Sequence, residues 1–316
     1  MKRTRNLQKV FFELTRACNL ACTHCLNDSG RRLHDELQPA QILGAVRQLG
    51  GFGVKEVRFT GGEPTISPAL IDAMRLARSF DIRVSIGTNA VAITREKANE
   101  LFTAGLCGAI VSIDGSEDSH DEIRGAGAYR RSWQGMMCLL DASVSVRVNA
   151  VAMRSTRAGL PALACACEEA GVTLYVRRFI PSGRMVGCVS ELLTVSEYRH
   201  IQASLQPYIE RGVVDGHYLD GGCGHCSAGS TGMVILPNGD VQSCGFLSDL
   251  GEPSYGNIAR EPIKDIWERV LSSAYLANSA DALASLNGAS LDLPRTNCLA
   301  IAVGVQRAPI RIRRQS

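Results

Sequence analysis

The sequence predicts an α/β fold: a parallel sheet with helices outside it, forming a partial (β/α)6 barrel, followed by a small module of β-hairpin plus helix. Three observations predict it. Apolar, β-rich runs alternate with helical patterns from residue 9 to residue 180, as parallel strands joined by crossover helices require. The alternation breaks off after Ile180, short of the roughly 250 residues of a full eight-unit barrel. Past Gly187 the character changes, so residues 1–187 are expected to form the barrel and 188–316 the second module and tail.

The elements follow in order. "KVFFEL" is the first strand, and Pro39 suits the first turn of a helix near 39–50. "EVRFT" leads into a helix near 68–80, and "IRVSIGT" into one that starts about Thr94 and ends at Gly105. "GAIVSID" precedes a loop and a helix near 129–141; "VSVRVNAVAM" precedes a helix near 158–170, closed by Gly171; "TLYVRRFI" is the sixth strand. Beyond it, "LTVSEYRHIQASLQPYIERG" and "EPIKDIWERVLSSAYL" each read as one helix. Between them, "GMVILPNGDVQSCGF" reads as a hairpin with Asn-Gly as its two-residue turn.

Composition narrows the function. The 34 basic and 31 acidic side chains leave a net charge of +3, too slight to make nucleic acid the main partner. The terminal "MKRTR" and "RIRRQS" read as solvated tails. No stretch approaches the roughly 18 apolar residues that span a bilayer, and "VFF" is too short for a signal peptide. A cytoplasmic location without membrane contact is expected. That compartment keeps thiols reduced, so clustered members of the 12 cysteines are better read as metal ligands than as a disulfide framework.

Cys18, Cys22 and Cys25 fall in one loop after the first strand, spaced C-x-x-x-C-x-x-C. With His24 as fourth ligand they could hold zinc, although zinc sites usually draw ligand pairs from separate turns. The loop instead occupies the C-terminal end of a barrel strand, the active-site face of such folds. Thiolates also hold iron–sulfur cubes, normally through four cysteines. Three leave one iron open to a cofactor.

That motif, joined to "FTGGEP" at the end of the second strand, resembles the radical S-adenosylmethionine (SAM) superfamily over about residues 8–185. The resemblance implies a TIM-type partial barrel in which Cys18, Cys22 and Cys25 bind three irons of a [4Fe–4S] cluster and SAM chelates the fourth. One electron then splits SAM, and the 5′-deoxyadenosyl radical takes a hydrogen atom from substrate. It further implies that Gly61, Gly62, Glu63 and Pro64 meet the methionyl amine, with the glycines letting backbone approach closely. Thr88 and Asn89 would reach ribose or carboxylate, Ser112 and Asp114 end the fourth strand beside the cofactor, and Arg124 faces it. His24 would contact adenine through its backbone.

The second cysteine group resembles the start of a SPASM or twitch module, an extension that carries auxiliary clusters. After the hairpin only Cys298 follows, so one auxiliary [4Fe–4S] cluster is expected, on Cys226, Cys244 and Cys298. Cys223 could complete the cube, serve as a catalytic hydrogen-atom or proton donor, or pair with Cys226 on zinc. Cys107, Cys138, Cys165, Cys167 and Cys188 read as small buried apolar residues, and Met136 and Met137 as core.

For substrate, the resemblance implies either a natural-product sugar or nucleoside, dehydrogenated or decarboxylated, or a ribosomal peptide that is crosslinked or epimerised. About ten residues precede the first strand, where many peptide maturases carry a leader-binding domain, so the small molecule is favoured. Arg147, Arg177 and Arg178 could hold a carboxylate or phosphate, or Arg178 could brace the two modules. A flavodoxin- or ferredoxin-type electron donor is expected. The reading from another class is a non-enzymatic iron–sulfur electron carrier.

Overall fold

The structure, a computed structural model, describes residues 6–215, 226, 228–289, 292–294, 296 and 298–307. In chain order these form β1 (Lys9–Glu13), α1 (Pro39–Phe52), β2 (Glu56–Thr60), α2 (Leu70–Ser79), β3 (Arg83–Thr88), α3 (Arg95–Thr103), β4 (Leu106–Ser112), α4 (Glu117–Arg124), α5 (Ala128–Asp141), β5 (Ser145–Ala152), α6 (Leu160–Glu169) and β6 (Thr173–Arg178). There follow α7 (Val195–Glu210), β7 (Val214–Asp215), β8 (Gly232–Ile235), β9 (Val241–Gln242), α8 (Ile263–Leu271), α9 (Ala274–Gly288) and α10 (Leu299–Arg307).

Strands β1 to β6 pair with their sequence neighbours in parallel, and the sheet runs β7-β6-β5-β4-β3-β2-β1-β8-β9. Side chains alternate across each strand. Val10 and Phe12, Val57 and Phe59, and Val84 and Ile86 are buried in one core with Ile42, Leu49, Leu70 and Met74 of the helices. The intervening residues, among them Lys9, Phe11, Arg58 and Ser85, line the inner face of a partial barrel. The loops that carry the cysteine and Gly-Gly-Glu-Pro motifs leave the C-terminal ends of β1 and β2.

Several elements differ from expectation. Helix α4 was not expected, since "EDSHDEIR" offers one apolar side chain, Ile123, and so no periodicity to read. Helix α7 packs on α6, which carries the outer helix layer past Gly187. Strand β8 adds to the barrel sheet itself, parallel to β1 from Lys9↔Gly232 to Phe12↔Ile235. The β8–β9 turn spans three residues, closed by Leu236 N donating to Asp240 O at 2.8 Å and Gly239 N to Leu236 O at 2.8 Å. Pro237 presets a type I turn, and only Gly239 takes positive φ, at 90°. The helix expected over 261–276 breaks at Ser272, and Ser273 caps α9 through Leu276 N at 3.2 Å. The Gln48 side chain ties α1 to the start of α8, donating to Ile258 O at 2.8 Å and accepting from Ile263 N at 2.9 Å. No helix among the described residues is long and apolar enough to cross a membrane.

Candidate active site

The loop after β1 is fixed from every side. Gly62 N donates to Thr15 O at 2.7 Å and Glu63 N to Ala17 O at 2.9 Å. A Cβ on Gly62 would lie 2.1 Å from Ala17 O, and one on Gly61, whose φ is +134°, 2.4 Å from Thr15 O. These glycines therefore let two backbones touch. Buried Glu36 accepts from Thr15 Oγ1 at 2.9 Å and from Arg16 N at 2.7 Å. From beyond β6, Arg184 reaches Asp28 Oδ1 at 2.8 Å and donates to the carbonyls of Ser29, at 2.6 Å, and Cys22. Asn89 Nδ2 donates to Asn19 Oδ1 at 2.8 Å and lies 3.8 Å from Cys18 Sγ.

The three thiols lie within range of one another's charge. Burial pushes the Cys18 thiol up to about 11 and raises Cys22 as well, so they ionise when a metal charge is present to draw the proton off. No three His, Cys, Asp or Glu among the described residues converge as a single ion would need. His24 turns its Nε2 to Asp114 Oδ2, 3.0 Å away. Its Nδ1 is buried without a hydrogen-bond partner, a polar atom left over for a ligand. Three mutually sensed thiols on one preorganised loop fit a cube larger than a single ion.

Glu63 and Asp114 are both fully buried, and each organises a strand end. Glu63 accepts from Thr65 N at 3.1 Å, Thr65 Oγ1 at 2.6 Å, Thr88 Oγ1 at 2.8 Å and Asn89 N at 2.8 Å. Its carboxylate thus joins the second and third strand ends, and burial raises its pKa despite these donors. Asp114 accepts from Arg124 Nε at 2.8 Å and Val151 N at 2.8 Å, beside His24. Burial alone would raise the Asp114 pKa, but the charge of Arg124, then His24 and the Val151 amide, hold it well below the usual carboxylate range. Arg124 also lies 3.9 Å from Cys22 Sγ, so α4 brings a cation to the thiols. Ser112 ends β4 half-buried, and Pro64 is buried at the start of a short turn over residues 64–66.

The second cysteine group also assembles. Burial raises the Cys244 thiol strongly, with Cys298 and Cys226 near enough to add to the effect. Cys244 and Cys298 pack around the same small core, which includes Leu247 and Ala300. Cys223 lies outside the described residues. Of the cysteines expected in the core, Cys167 is buried, Cys138 and Cys188 are half-buried, and Cys107 and Cys165 are exposed. Cys165 takes the outer face of α6, two positions from Cys167, and Met137 turns to solvent one residue after buried Met136. Sequence reasoning missed Glu36 and Arg184. The only signal for the latter was Gly-Arg after the sixth strand, where a Cβ on Gly183 would lie 2.1 Å from Leu26 O.

Barrel, cysteine loop and auxiliary module define an iron–sulfur enzyme. The Radical SAM superfamily profile matches residues 12–157, and the SPASM iron–sulfur cluster-binding domain matches residues 226–282. Mycofactocin maturase MftC of Mycobacterium ulcerans is 30% identical over 251 residues, 74% of this chain and 67% of that protein. The AdoMet-dependent heme synthase of Nitratidesulfovibrio vulgaris is 26% identical over 291 residues, 82% of this chain and 78% of that protein. SuiB of Streptococcus suis, solved with S-adenosylmethionine, shares the fold with a TM-score of 0.71 at 18% identity, over 85% of this chain and 67% of SuiB. The chain belongs to the radical SAM superfamily and carries a SPASM domain. It is an enzyme that uses SAM, a SAM-binding [4Fe–4S] cluster and an auxiliary [4Fe–4S] cluster.

Proposed function

We propose that this enzyme takes a hydrogen atom from a small natural-product molecule, a sugar or nucleoside, on the way to dehydrogenation or decarboxylation. The observation that carries this reading is the inner face of the barrel. Lys9, Glu56, Arg58, Asn149 and Arg177 point into it, and a lumen so charged suits a compact polar molecule better than an extended peptide. The likeness to a heme synthase supports a small-molecule substrate. The likeness to mycofactocin maturases supports the second one, a peptide maturase that forms thioether or carbon–carbon crosslinks or epimerises a residue.

In this proposal Cys18, Cys22 and Cys25 hold the SAM-binding cluster, and Cys226, Cys244 and Cys298 hold the auxiliary one. Bound there, the two clusters and SAM supply one-electron cleavage of the S–C5′ bond and an electron acceptor. The protein's part is placement. Glu36 and Arg184 hold the cysteine loop, Glu63 sets the ends of β2 and β3, and Asp114 aims Arg124 toward Cys22. A cytoplasmic location and a flavodoxin- or ferredoxin-type donor belong to the same proposal.

The test is anaerobic reconstitution with iron, sulfide, SAM and dithionite. 5′-Deoxyadenosine should accumulate, and a Cys18, Cys22 and Cys25 to Ala triple variant should abolish it while leaving the auxiliary cluster's absorbance. A peptide-free metabolite fraction should raise the product several-fold over background. Stimulation by the peptide fraction alone would transfer the assignment to the maturase reading.

A further inference from the structure

The segment that follows β6 stands between the two cysteine groups. On one side it grips the loop of Cys18, Cys22 and Cys25. Gly183 takes a φ of +61°, and a Cβ there would lie 2.1 Å from Leu26 O and 2.3 Å from Cys25 O, so only glycine lets the segment lie this close. Arg184 N donates to Cys25 O at 2.9 Å, next to the side-chain bonds that Arg184 makes to Asp28, Ser29 and Cys22. On the other side Ile180 packs against the small core of Leu247, Leu250, Ala300, Ala302 and Val303, as Cys244 and Cys298 do. Pro181, Ser182 and Gly183, which lie between the two grips, are buried.

Helix α10 presses on the same segment. It starts directly after Cys298, with Ala302 N donating to Cys298 O at 3.3 Å, and its residues from Leu299 to Val305 are all buried. A Cβ on Gly304 would lie 3.2 Å from Pro181 Cγ and 3.5 Å from Pro181 O, so the helix backbone rests on the proline. Its nine residues are fewer than the roughly 12–15 that a helix needs to persist unaided in water. The order of α10 therefore depends on its packing and on how Cys298 is fastened at its start, and a bound metal supplies such order. From Pro181 to Arg184 the chain spans no more than about 11 Å, with φ fixed at the proline. A shift at one end is hardly absorbed before it reaches the other.

We propose that residues 180–184 are a strut between the two cluster sites: α10, fastened where Cys298 is held in the auxiliary site, bears on Pro181 and keeps Gly183 and Arg184 seated on the SAM-binding loop. Affinity for SAM is then higher when the auxiliary site is filled than when it is empty, which is a coupling free energy between two distinct sites. Pro181, Gly183 and Gly304 are positioning residues in this account, since they act on the cofactor through the cysteine loop. The inference rests on the assignment of Cys298 to the auxiliary cluster and of Cys18, Cys22 and Cys25 to the SAM-binding one.

The test is anaerobic calorimetric titration of the reconstituted full chain with SAM, paired with amide hydrogen exchange over residues 22–29. Gly304→Val keeps every cysteine and crowds Pro181. It should weaken SAM binding at least fivefold and speed exchange over 22–29 at least tenfold, with the auxiliary cluster's Mössbauer signal retained. Adding Pro181→Ala removes the ring that the new side chain meets, and should restore at least half of the lost affinity on a logarithmic scale. Cys298→Ser unfastens α10 at its start and should show the same two losses. Gly288→Ala, at the end of α9, places a Cβ with nothing within 4 Å and should change neither. Unchanged affinity and exchange in Gly304→Val, no recovery on adding Pro181→Ala, or exchange that rises equally in β4 and β5, as general loosening would make it, overturns the proposal. An auxiliary cluster fully retained in Cys298→Ser overturns the ligand assignment instead, and the Gly304 and Pro181 variants still decide the strut.

Discussion

Replacing Asp114 by Asn tests the architecture of the site most directly. The carboxylate is fully buried and sits 2.8 Å from the Arg124 guanidinium, itself 10% exposed. Removing one member of a buried pair costs about 3–5 kcal/mol, because the other charge is left without compensation. Asn can still accept from Val151 N, which puts the loss near about 3 kcal/mol. For a chain of this size that corresponds to a fall in Tm of about 6 °C. The Asp114 pKa is depressed, so its stabilisation is present above the ordinary carboxylate value of about 3.9 and lost only as pH falls through the lower folded value. The deficit of Asp114→Asn should therefore persist at neutral pH and close only in strong acid. Arg124→Met alone should also destabilise, and the double variant should be less damaged than the sum by about 2 kcal/mol. The assay is thermal denaturation with a double-mutant cycle. A shift under 1 °C, or strict additivity, would refute the account of Asp114 as the counter-charge that aims Arg124.

Gly62→Ala drives a Cβ to 2.1 Å from a backbone oxygen, whereas Gly30→Ala meets nothing within 4 Å; the first should lose more than about 3 kcal/mol and the second almost nothing, by chemical denaturation. Arg184→Ala removes the clasp on Cys22, Ser29 and Asp28 and should cost about 1–2 kcal/mol; Mössbauer spectra should show the SAM-binding cluster depleted and the auxiliary one retained. Burial raises the Glu13 carboxyl to about 6, against the nearby Arg16. Its contribution to stability is thus full below about 4.5 and lost as pH rises through about 6. Glu13→Gln should erase that decline, worth about 2 kcal/mol, in melts of the apo chain.

The barrel was legible because its strands alternate buried and inner-face residues while its helices carry apolar stripes. The cysteine spacing was legible because ligands to one cluster must sit close in a loop. Helix α4 was hidden, since it is held by side chains rather than by an apolar face: Asp121 accepts from Gly127 N and Tyr129 N, and His120 Nδ1 from Asp114 N. Glu36 and Arg184 could not be found because the groups through which they hold the cysteine loop lie about 20 and more than 150 residues away in sequence. The internal bonds of Glu63 could not be read either: its side chain accepts from Thr65, Thr88 and Asn89, partners that only the folded strand ends bring together. The turn after β8 was misjudged by a residue, because Pro237 selects a different geometry for the same Asn-Gly pair.

The parallel pairing of β8 with β1 makes the N-terminal strand an interior member of the sheet. A fragment cut anywhere before residue 232 would leave a bare row of amides and carbonyls along Lys9–Phe12, flanked by Val10 and Phe12. Such an edge invites another chain to pair with it. The barrel region expressed alone should self-associate, and the auxiliary region doubles as the cover over that edge.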